Sequence, residues 1–151
     1  MGMSELRIEA LSARTIVAVN ALSLKPGQEQ FVTPVSYSVA AAVTDPRTSW
    51  QRVVLDGDEV RAFIHGNFDP SAEAPFSSIL WRVNVDADVQ GRGVGRFAVH
   101  ALADEARSRG IEVLHVIYEP GELGPESFFT RLGFTPVGET EYGEVIARYS
   151  L

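Results

Sequence analysis

The sequence of 151 residues contains no cysteine. It can therefore form no disulfide bond and no metal site with thiolate ligands, which fits a protein of the cytoplasm. Long apolar runs are missing as well, since none approaches the ~20 residues that a membrane-spanning helix needs. The N-terminal segment lacks the apolar core of a signal peptide. These absences predict a cytoplasmic protein that has no membrane partner and binds no metal ion.

Positive charge is scarce. The chain has 13 lysines and arginines against 20 aspartates and glutamates, for a formal net charge of −7. Nucleic-acid binding needs clustered lysine and arginine to neutralise phosphates, so the charge balance argues against a nucleic-acid partner. It favours a cationic small-molecule partner, although acidity also serves solubility. With 45% hydrophobic and 22% charged residues, the composition is that of a single globular domain over residues 1–151.

Hydrophobic periodicity and turn residues divide the chain into strands and helices. The predicted strands are 6–9, 52–55, 60–65, 79–85, 113–118, 134–140 and 145–151. The predicted helices are 12–23, with Ser12 as N-cap, then 37–43, 95–109 and 125–132. An Asp56-Gly57-Asp58 turn makes the second and third strands a hairpin. This order predicts an α/β fold in which a mixed sheet carries helices on its faces.

The most informative segment runs from residue 79 to residue 98. A buried apolar strand leads into a loop with Gly91, Gly93 and Gly95, and a helix follows. Glycine removes side chains from the start of a helix, so several backbone N–H groups can face one anion. The segment therefore predicts a site for a phosphate group.

Three other interpretations compete for these glycines. The dinucleotide fingerprint G-x-G-x-x-G would need its third glycine one residue later, and it usually opens the first βαβ unit of a chain. The P-loop is excluded because no Lys-Ser or Lys-Thr pair follows the loop. A glycine-rich turn without a ligand stays open. Against it, three glycines cost helix stability unless the bare backbone is needed.

Two motifs together resemble the GNAT superfamily of N-acetyltransferases. The run Gln90-x-x-Gly93-x-Gly95, after a strand that holds Val83 and Val85, resembles the pyrophosphate loop of that superfamily. The later segment 128–134, Phe-Phe-Thr-Arg-Leu-Gly-Phe, is similar to its aromatic-x-x-Leu-Gly-Phe signature. Residues 80–86, Pro120-Gly121 and Gly138-Glu139 are similar to small bacterial members of the polyamine or diamine acetyltransferase type. The likeness is firm from about residue 50 onward and faint before it.

The resemblance implies the GNAT fold, a mixed central sheet of about seven strands flanked by about four helices. It implies acetyl-CoA as co-substrate and direct transfer of its acetyl group to a primary amine of a small molecule. The backbone of the strand at Val83, Asn84 and Val85 would contact the pantetheine arm. The pyrophosphate would lie among the loop residues, which are Gln90, Gly91, Arg92, Gly93, Val94, Gly95 and Arg96.

The resemblance breaks down at the proton donor. Many GNAT enzymes have a tyrosine in the short helix that protonates the departing thiolate, and here the matching residue is Phe129, beside the cofactor. Phenylalanine donates no proton. Glu122 or a neighbour falls where those enzymes have an asparagine. Tyr118, at the end of the preceding strand, is the nearest substitute hydroxyl.

The general base is equally hard to assign. We predict that no carboxylate on the strand 79–85 faces the same way as Val83 and Val85, because Ile79 and Trp81 take those places. His65, late in its strand, has a neutral pKa that suits a base. The loop carboxylates are further candidates, namely Asp69, Glu73 and Glu119. A chain of water molecules could replace all of them.

One wall of the acceptor site would be built from Gln28, Glu29, Phe31 and Trp50, with Glu29 attracting a second ammonium group. Dimers are frequent among similar proteins, and the edge of the last strand could serve as the interface of a homodimer. The alternative to an enzyme is a non-catalytic acyl-CoA-binding sensor or partner module. It is motivated by Phe129 and by the missing carboxylate.

Overall fold

The computed structural model describes residues 5–22, 45–122 and 124–151. Within these ranges the strands are β1 Leu6–Ala10, β2 Ser49–Asp56, β3 Glu59–Phe68, β4 Ser78–Val85, β5 Val113–Tyr118, β6 Thr135–Glu139 and β7 Val145–Ser150. The helices are α1 Ile16–Asn20, α2 Val94–Ser108 and α3 Glu126–Leu132, and a short 3-10 turn covers Ala87–Val89. The predicted helix at 37–43 lies outside the described residues.

The strands form one sheet in the order β1-β2-β3-β4-β5-β7-β6. Every neighbouring pair is antiparallel except β4 and β5, which are parallel. The predicted α/β class with a mixed sheet is confirmed. The predicted hairpin is confirmed as well, and it is closed by the two residues Gly57 and Asp58 between the paired Asp56 and Glu59. Gly57 has a φ of 63°, a left-handed conformation that glycine adopts without strain.

The first helix is much shorter than the predicted 12–23. It spans Ile16–Asn20, and the predicted N-cap Ser12 lies outside it. Ser12 instead closes a turn, in which its carbonyl accepts hydrogen bonds from the N–H groups of Thr15 at 3.1 Å and Ile16 at 2.9 Å. The Ser12 N–H in turn donates to Thr15 Oγ1 at 3.1 Å. Such side-chain bonds offer the backbone an alternative to the helix, so the helix begins later.

The sheet has a hydrophobic cluster on each face. The face toward α2 carries the larger cluster, in which Leu80, Ala98, Leu102 and Val116 are buried. The other face carries Val19 of α1 together with Val53, Leu55 and Phe63. The predicted apolar side of α2 is therefore confirmed, since Ala98, Leu102 and Ala106 are all buried.

Both later helices end where their glycines predict. Gly110 has a φ of 75°, and its N–H donates to the Arg107 carbonyl at 3.0 Å. Gly133 has a φ of 108° directly after α3. Left-handed glycines at this position satisfy the last carbonyls of a helix. In the described ranges, no helix is both long and apolar enough to cross a membrane.

Candidate functional site

The strands β4 and β5 pair over a very short stretch. Their register contains two pairs in the described sheet, Ile79 with His115 and Leu80 with Val116. The remainder of β4, through Val85, lies beyond the last pair. A parallel pair that separates in the middle of a sheet leaves a cleft in which a ligand can contact backbone groups.

A bulge in β4 lies at the point where the strands separate. His65 of β3 pairs with Arg82 and Gly66 pairs with Leu80, so Trp81 is an extra residue. The bulge reverses the alternation of side chains. Leu80 and Val83 therefore share the α2 face, and both contact its cluster. The prediction that Ile79 and Trp81 face the same way as Val83 and Val85 is wrong for this reason.

The loop that follows β4 is fixed to the neighbouring strand. The Asp86 N–H donates to the Arg61 carbonyl at 2.9 Å, and Arg61 Nη1 donates to Asp86 Oδ2 at 3.2 Å. The Gln90 side-chain amide donates to the Val85 carbonyl at 3.0 Å. These bonds hold the loop in place before any ligand arrives, which reduces the entropic cost of binding.

The glycines of the loop serve two different purposes. Gly91 and Gly93 have φ angles of 81° and 86°, and a Cβ added at either would have no heavy atom within 4 Å. They allow the left-handed turns and keep the loop surface free of side chains. At Gly95 a Cβ would lie 3.0 Å from the Phe128 ring and 3.2 Å from Val85 Cγ2. Gly95 is therefore required for close packing between α2, α3 and β4.

The first turn of α2 can receive an anion. The helix begins after Gly93, and its first intrahelical bond runs from the Phe97 N–H to the Gly93 carbonyl at 3.0 Å. The N–H groups of Val94, Gly95 and Arg96 precede that bond and have no acceptor within the helix. The first turn contains no acidic residue. The positive end of the helix dipole adds to the attraction for an anion.

An aromatic cluster lies beside the first turn of α2. Phe129 is 3% exposed and Tyr118 is 5% exposed, and their rings stack with centroids 5.5 Å apart. The structure thus brings together the phenylalanine in the tyrosine position and the predicted substitute. Burial, with a smaller contribution from the Glu126 carboxylate, raises the pKa of the Tyr118 hydroxyl. Tyr118 therefore keeps its proton at neutral pH and can donate it.

His65 lies on the face of the sheet opposite α2, whereas Tyr118 and Phe129 lie on the α2 face. His65 is 3% exposed, and its Nε2 is 3.3 Å from Ser49 Oγ. Burial, and then the Arg82 charge, lower the pKa of His65 to about 4. The imidazole is therefore neutral at physiological pH and can accept a proton. The structure brings Asn84 to the same face, since its partner Phe63 is the β3 residue two before His65.

Comparison with known proteins adds a decisive observation. Residues 18–134 match the Acetyltransferase (GNAT) family. The chain belongs to the GNAT acetyltransferase family. An L-2,4-diaminobutyric acid acetyltransferase from Streptomyces coelicolor is 38% identical over 80 residues, which are 52% of this chain and 46% of the relative. The match thus spans less than half the length of that curated relative.

Solved structures show the same fold. An acetyltransferase from Thermus thermophilus superposes with a TM-score of 0.72 at 17% identity, with 100% of both chains covered. The PaiA N-acetyltransferase of Thermoplasma acidophilum, in complex with coenzyme A, superposes with a TM-score of 0.76 at 12% identity. That match covers 97% of this chain and 99% of PaiA. The predicted GNAT family and fold are confirmed.

Other predicted residues of this GNAT chain are buried in the core, engaged in a local turn or exposed, or they lie outside the described residues. Trp50 is 5% exposed and is buried in the cluster under α2, on the opposite face from His65. Asp69 Oδ1 accepts bonds from the Ser71 N–H at 3.0 Å and Ser71 Oγ at 2.6 Å, which close a local turn. The carboxylates at 73, 119 and 122 are exposed. Gln28, Glu29 and Phe31 lie outside the described residues.

Sequence reasoning missed an exposed aromatic pair. Phe76 is 47% exposed and the bulge residue Trp81 is 40% exposed, with ring centroids 5.9 Å apart. Large exposed aromatics next to a cleft often mark a binding surface. The only available signal was the aromatic residue type, because the bulge that turns Trp81 outward depends on pairing with β3.

Proposed function

We propose that the chain moves an acetyl group from acetyl-CoA directly to a primary amine of a small molecule. The observation that carries the proposal is the separation of β4 from β5 immediately before a glycine loop that opens α2. The cleft suits an extended thioester arm, and the first turn of the helix suits a diphosphate. The coenzyme A complex of PaiA supports this assignment, since PaiA has the same fold.

The bound nucleotide would be held mainly by the backbone. We assign the pyrophosphate to the N–H groups from Gly91 to Arg96, with the exposed side chains of Arg92 and Arg96 at the rim. The pantetheine arm would follow Val83, Asn84 and Val85, the part of β4 beyond the last β5 pair. Phe129 is buried and packs against Phe128, whose ring lies next to Gly95. Phe129 would therefore close the site from the α3 side.

The chemistry requires two proton transfers. The amine nitrogen forms a bond to the thioester carbon, and the carbon–sulfur bond breaks with both electrons going to sulfur. The attacking nitrogen loses one proton, and the thiolate takes one up. Backbone N–H groups of β4 near Val85 would polarise the carbonyl, and the protein would supply alignment. We assign the thiolate proton to the Tyr118 hydroxyl, which keeps its proton at neutral pH.

The proton of the amine would leave through His65. Its imidazole is neutral, and it lies on β3 beside Arg82, the residue that follows the bulge. A pKa of about 4 makes His65 a weak base, so it would pass the proton on to water. Asp69, Glu73 and Glu119 are less suitable because Asp69 is engaged in a turn and the other two are exposed.

The acceptor is proposed to carry a second positive charge. The exposed rings of Phe76 and Trp81 could bind an ammonium group by cation–π attraction, and the net charge of the chain is −7. The diaminobutyric acid acetyltransferase is a relative with a diamino substrate in its name. Gln28, Glu29 and Phe31 remain proposed contacts for the acceptor. Trp50 is not proposed as one, because its side chain is buried in the cluster under α2.

The test measures release of the free coenzyme A thiol. The purified chain is given acetyl-CoA and one amine at a time, namely 2,4-diaminobutyrate, putrescine, spermidine and the monoamine butylamine. We expect turnover with a diamine and a much lower rate with butylamine. Equal rates for butylamine and the diamines would contradict the proposal of a second charge.

A second candidate function is a non-catalytic acyl-CoA-binding module, which Phe129 favours because it stands where many relatives have a proton donor. Acetyl-CoA binding by calorimetry without turnover of any amine would support this candidate. Absence of binding would overturn both candidates. A homodimer is proposed by analogy. The predicted interface at the edge of the last strand is wrong, because β7 pairs with β5 on one side and with β6 on the other and has no free edge. The interface is instead proposed at β6, which lies at the edge of the sheet and has all five residues exposed.

A further inference from the structure

A cavity of about 730 Å³ lies at the opposite end of the molecule from the glycine loop. It opens where β4 and β5 begin and where α2 ends, and Ser78, Gly110 and Val113 are among its lining residues. The 15 residues of α2 separate it from the loop by about 22 Å, at a rise of 1.5 Å per residue. It is therefore distinct from the proposed coenzyme A site.

Two polar side chains on the cavity wall have atoms without a partner. Ser78 is 4% exposed, and its Oγ makes no hydrogen bond to the described residues. The buried Nδ1 of His115 likewise has no partner of good geometry in that part of the chain. His115 pairs with Ile79, the residue next to Ser78, so the two side chains lie on opposite faces of the sheet, and the cavity reaches both of them around the start of the strands. Buried polar atoms are nearly always hydrogen-bonded, so each of these two atoms indicates a missing partner.

Two arginines lie at the same cavity. Arg109 is held in place, because its Nε donates to Glu105 Oε2 at 2.8 Å and its guanidinium lies 4.3 Å from the Phe68 ring centroid. Arg148 of β7 is the register partner of His115. The Arg148 side chain is exposed and forms no ion pair with the described residues.

Charge and polarity together define the ligand. The cavity is lined by two guanidinium groups and by one carboxylate, the exposed Glu112. Burial lowers the pKa of His115 most, the Ser78 backbone raises it in part, and the Arg148 charge lowers it further. Because the pKa is lowered overall, the imidazole is neutral at physiological pH. The apolar part of the wall includes Phe68 and Ile111. A ligand would thus meet the Arg109 guanidinium, which is held by Glu105, the exposed Arg148 guanidinium, neutral hydrogen-bonding groups and an apolar surface.

We propose that this cavity binds a small organic anion, whose carboxylate or phosphate group lies between Arg109 and Arg148 and accepts a hydrogen bond from the Ser78 hydroxyl. Guanidinium groups form paired hydrogen bonds with both kinds of oxyanion. Because the site is at the far end of α2 from the glycine loop, it would bind a ligand other than coenzyme A. The inference does not depend on the proposed acetyl transfer.

The experiment is calorimetric titration of the full chain with inorganic phosphate and, separately, with succinate. Saturating coenzyme A is present, so that any phosphate site at the glycine loop is blocked. We expect saturable binding of one anion per chain. Arg148→Gln should weaken it by about tenfold or more, and Ser78→Ala by about threefold. Arg131→Gln is the matched control, because Arg131 is an exposed arginine on α3.

Each outcome decides the inference. Binding that Arg148→Gln weakens and Arg131→Gln leaves intact would establish the site, and the stronger of the two anions would identify its chemistry. Equal weakening by both variants, or no saturable binding of either anion, would overturn it. Arg109→Gln gives a second reading if Arg148→Gln lowers the melting temperature. If phosphate binds the free chain but not the chain saturated with coenzyme A, the two compete for one site, and this result would also overturn the inference.

Discussion

The two ends of α2 are suited to anions in different ways. At the amino end, Gly91 and Gly93 keep side chains away, and the backbone N–H groups of the first turn have no acceptor within the helix. At the carboxyl end, where the helix dipole is negative, Arg109 and Arg148 supply the positive charge. The proposed site at the amino end therefore depends on backbone conformation, whereas the one at the carboxyl end depends on individual side-chain charges.

The largest effect is expected from Gly93→Val, which would break the amino-end site. Gly93 has a φ of 86°, and a β-branched residue is strained in that conformation. The valine would also place a side chain on the open loop surface. We expect acetyl-CoA affinity to fall by about 100-fold, as measured by calorimetry.

Gly110→Val is the matched control at the other end of α2. Gly110 has a φ of 75° and, like Gly93, no heavy atom within 4 Å of an added Cβ. Its backbone strain is therefore comparable, and the melting temperature should fall for both variants. Acetyl-CoA affinity should change only in Gly93→Val. If Gly110→Val lowers that affinity equally, the loss comes from general destabilisation and the backbone site is not supported.

A smaller effect is expected from Tyr118→Phe, which tests the catalytic chemistry beside the amino end. Loss of the hydroxyl should lower kcat by about 10- to 100-fold with little change in KM. This lies at or below the lower end of the ~100- to 10,000-fold that general acid catalysis typically contributes, because water can deliver the proton instead. Since the rings of Tyr118 and Phe129 stack at 5.5 Å, the double variant Tyr118→Phe, Phe129→Tyr should recover part of the rate. An unchanged kcat in Tyr118→Phe would show that the thiolate leaves without this hydroxyl.

Acid should weaken the fold through a residue that belongs to neither end of α2. The pKa of buried His65 is lowered to about 4, from 6.5 in an unfolded chain. Between these values the unfolded state binds a proton that the folded state does not, so stability falls as the pH drops from about 6.5 to about 4. The loss would be up to about 3 kcal/mol.

The measurement is urea unfolding at a series of pH values. His65→Gln should flatten the decline in stability between pH 6.5 and 4 relative to the unchanged chain. His115, whose pKa is also lowered by burial, should contribute a smaller slope of the same sign. If the free energy of unfolding declines as steeply in His65→Gln as in the parent, His65 does not cause the decline and the prediction is wrong.

Local rules are sufficient for the amino end of α2. The glycine loop, the hairpin at Gly57 and the helix ends at Gly110 and Gly133 are each determined by residues within a few positions, and the structure has them where the sequence predicts them. The predicted start of α1 is wrong for a local reason, since the Ser12 and Thr15 side chains bond the backbone in a turn.

Long-range pairing explains what could not be predicted. The bulge at Trp81 exists only in the pairing of β4 with β3, and without it the parity of the strand assigns side chains to the wrong face. The cavity at the carboxyl end of α2 is assembled from β4, β5, β7 and the helix end. No sequence window contains Ser78, His115 and Arg148 together, so their proximity becomes visible only in the folded chain.

The smallest effect is expected from Arg96→Gln, which tests whether a side-chain charge or the backbone holds the anion at the amino end of α2. Arg96 is an exposed residue in the first turn of α2, where the backbone N–H groups remain after the substitution. Exposed charges contribute little at physiological salt, so acetyl-CoA affinity should fall by only about two- to fivefold. Arg148→Gln should cost the other end about tenfold in phosphate or succinate affinity. If Arg96→Gln costs as much as Gly93→Val, side-chain charge and not the backbone controls the amino end, and the two ends of α2 bind anions in the same way.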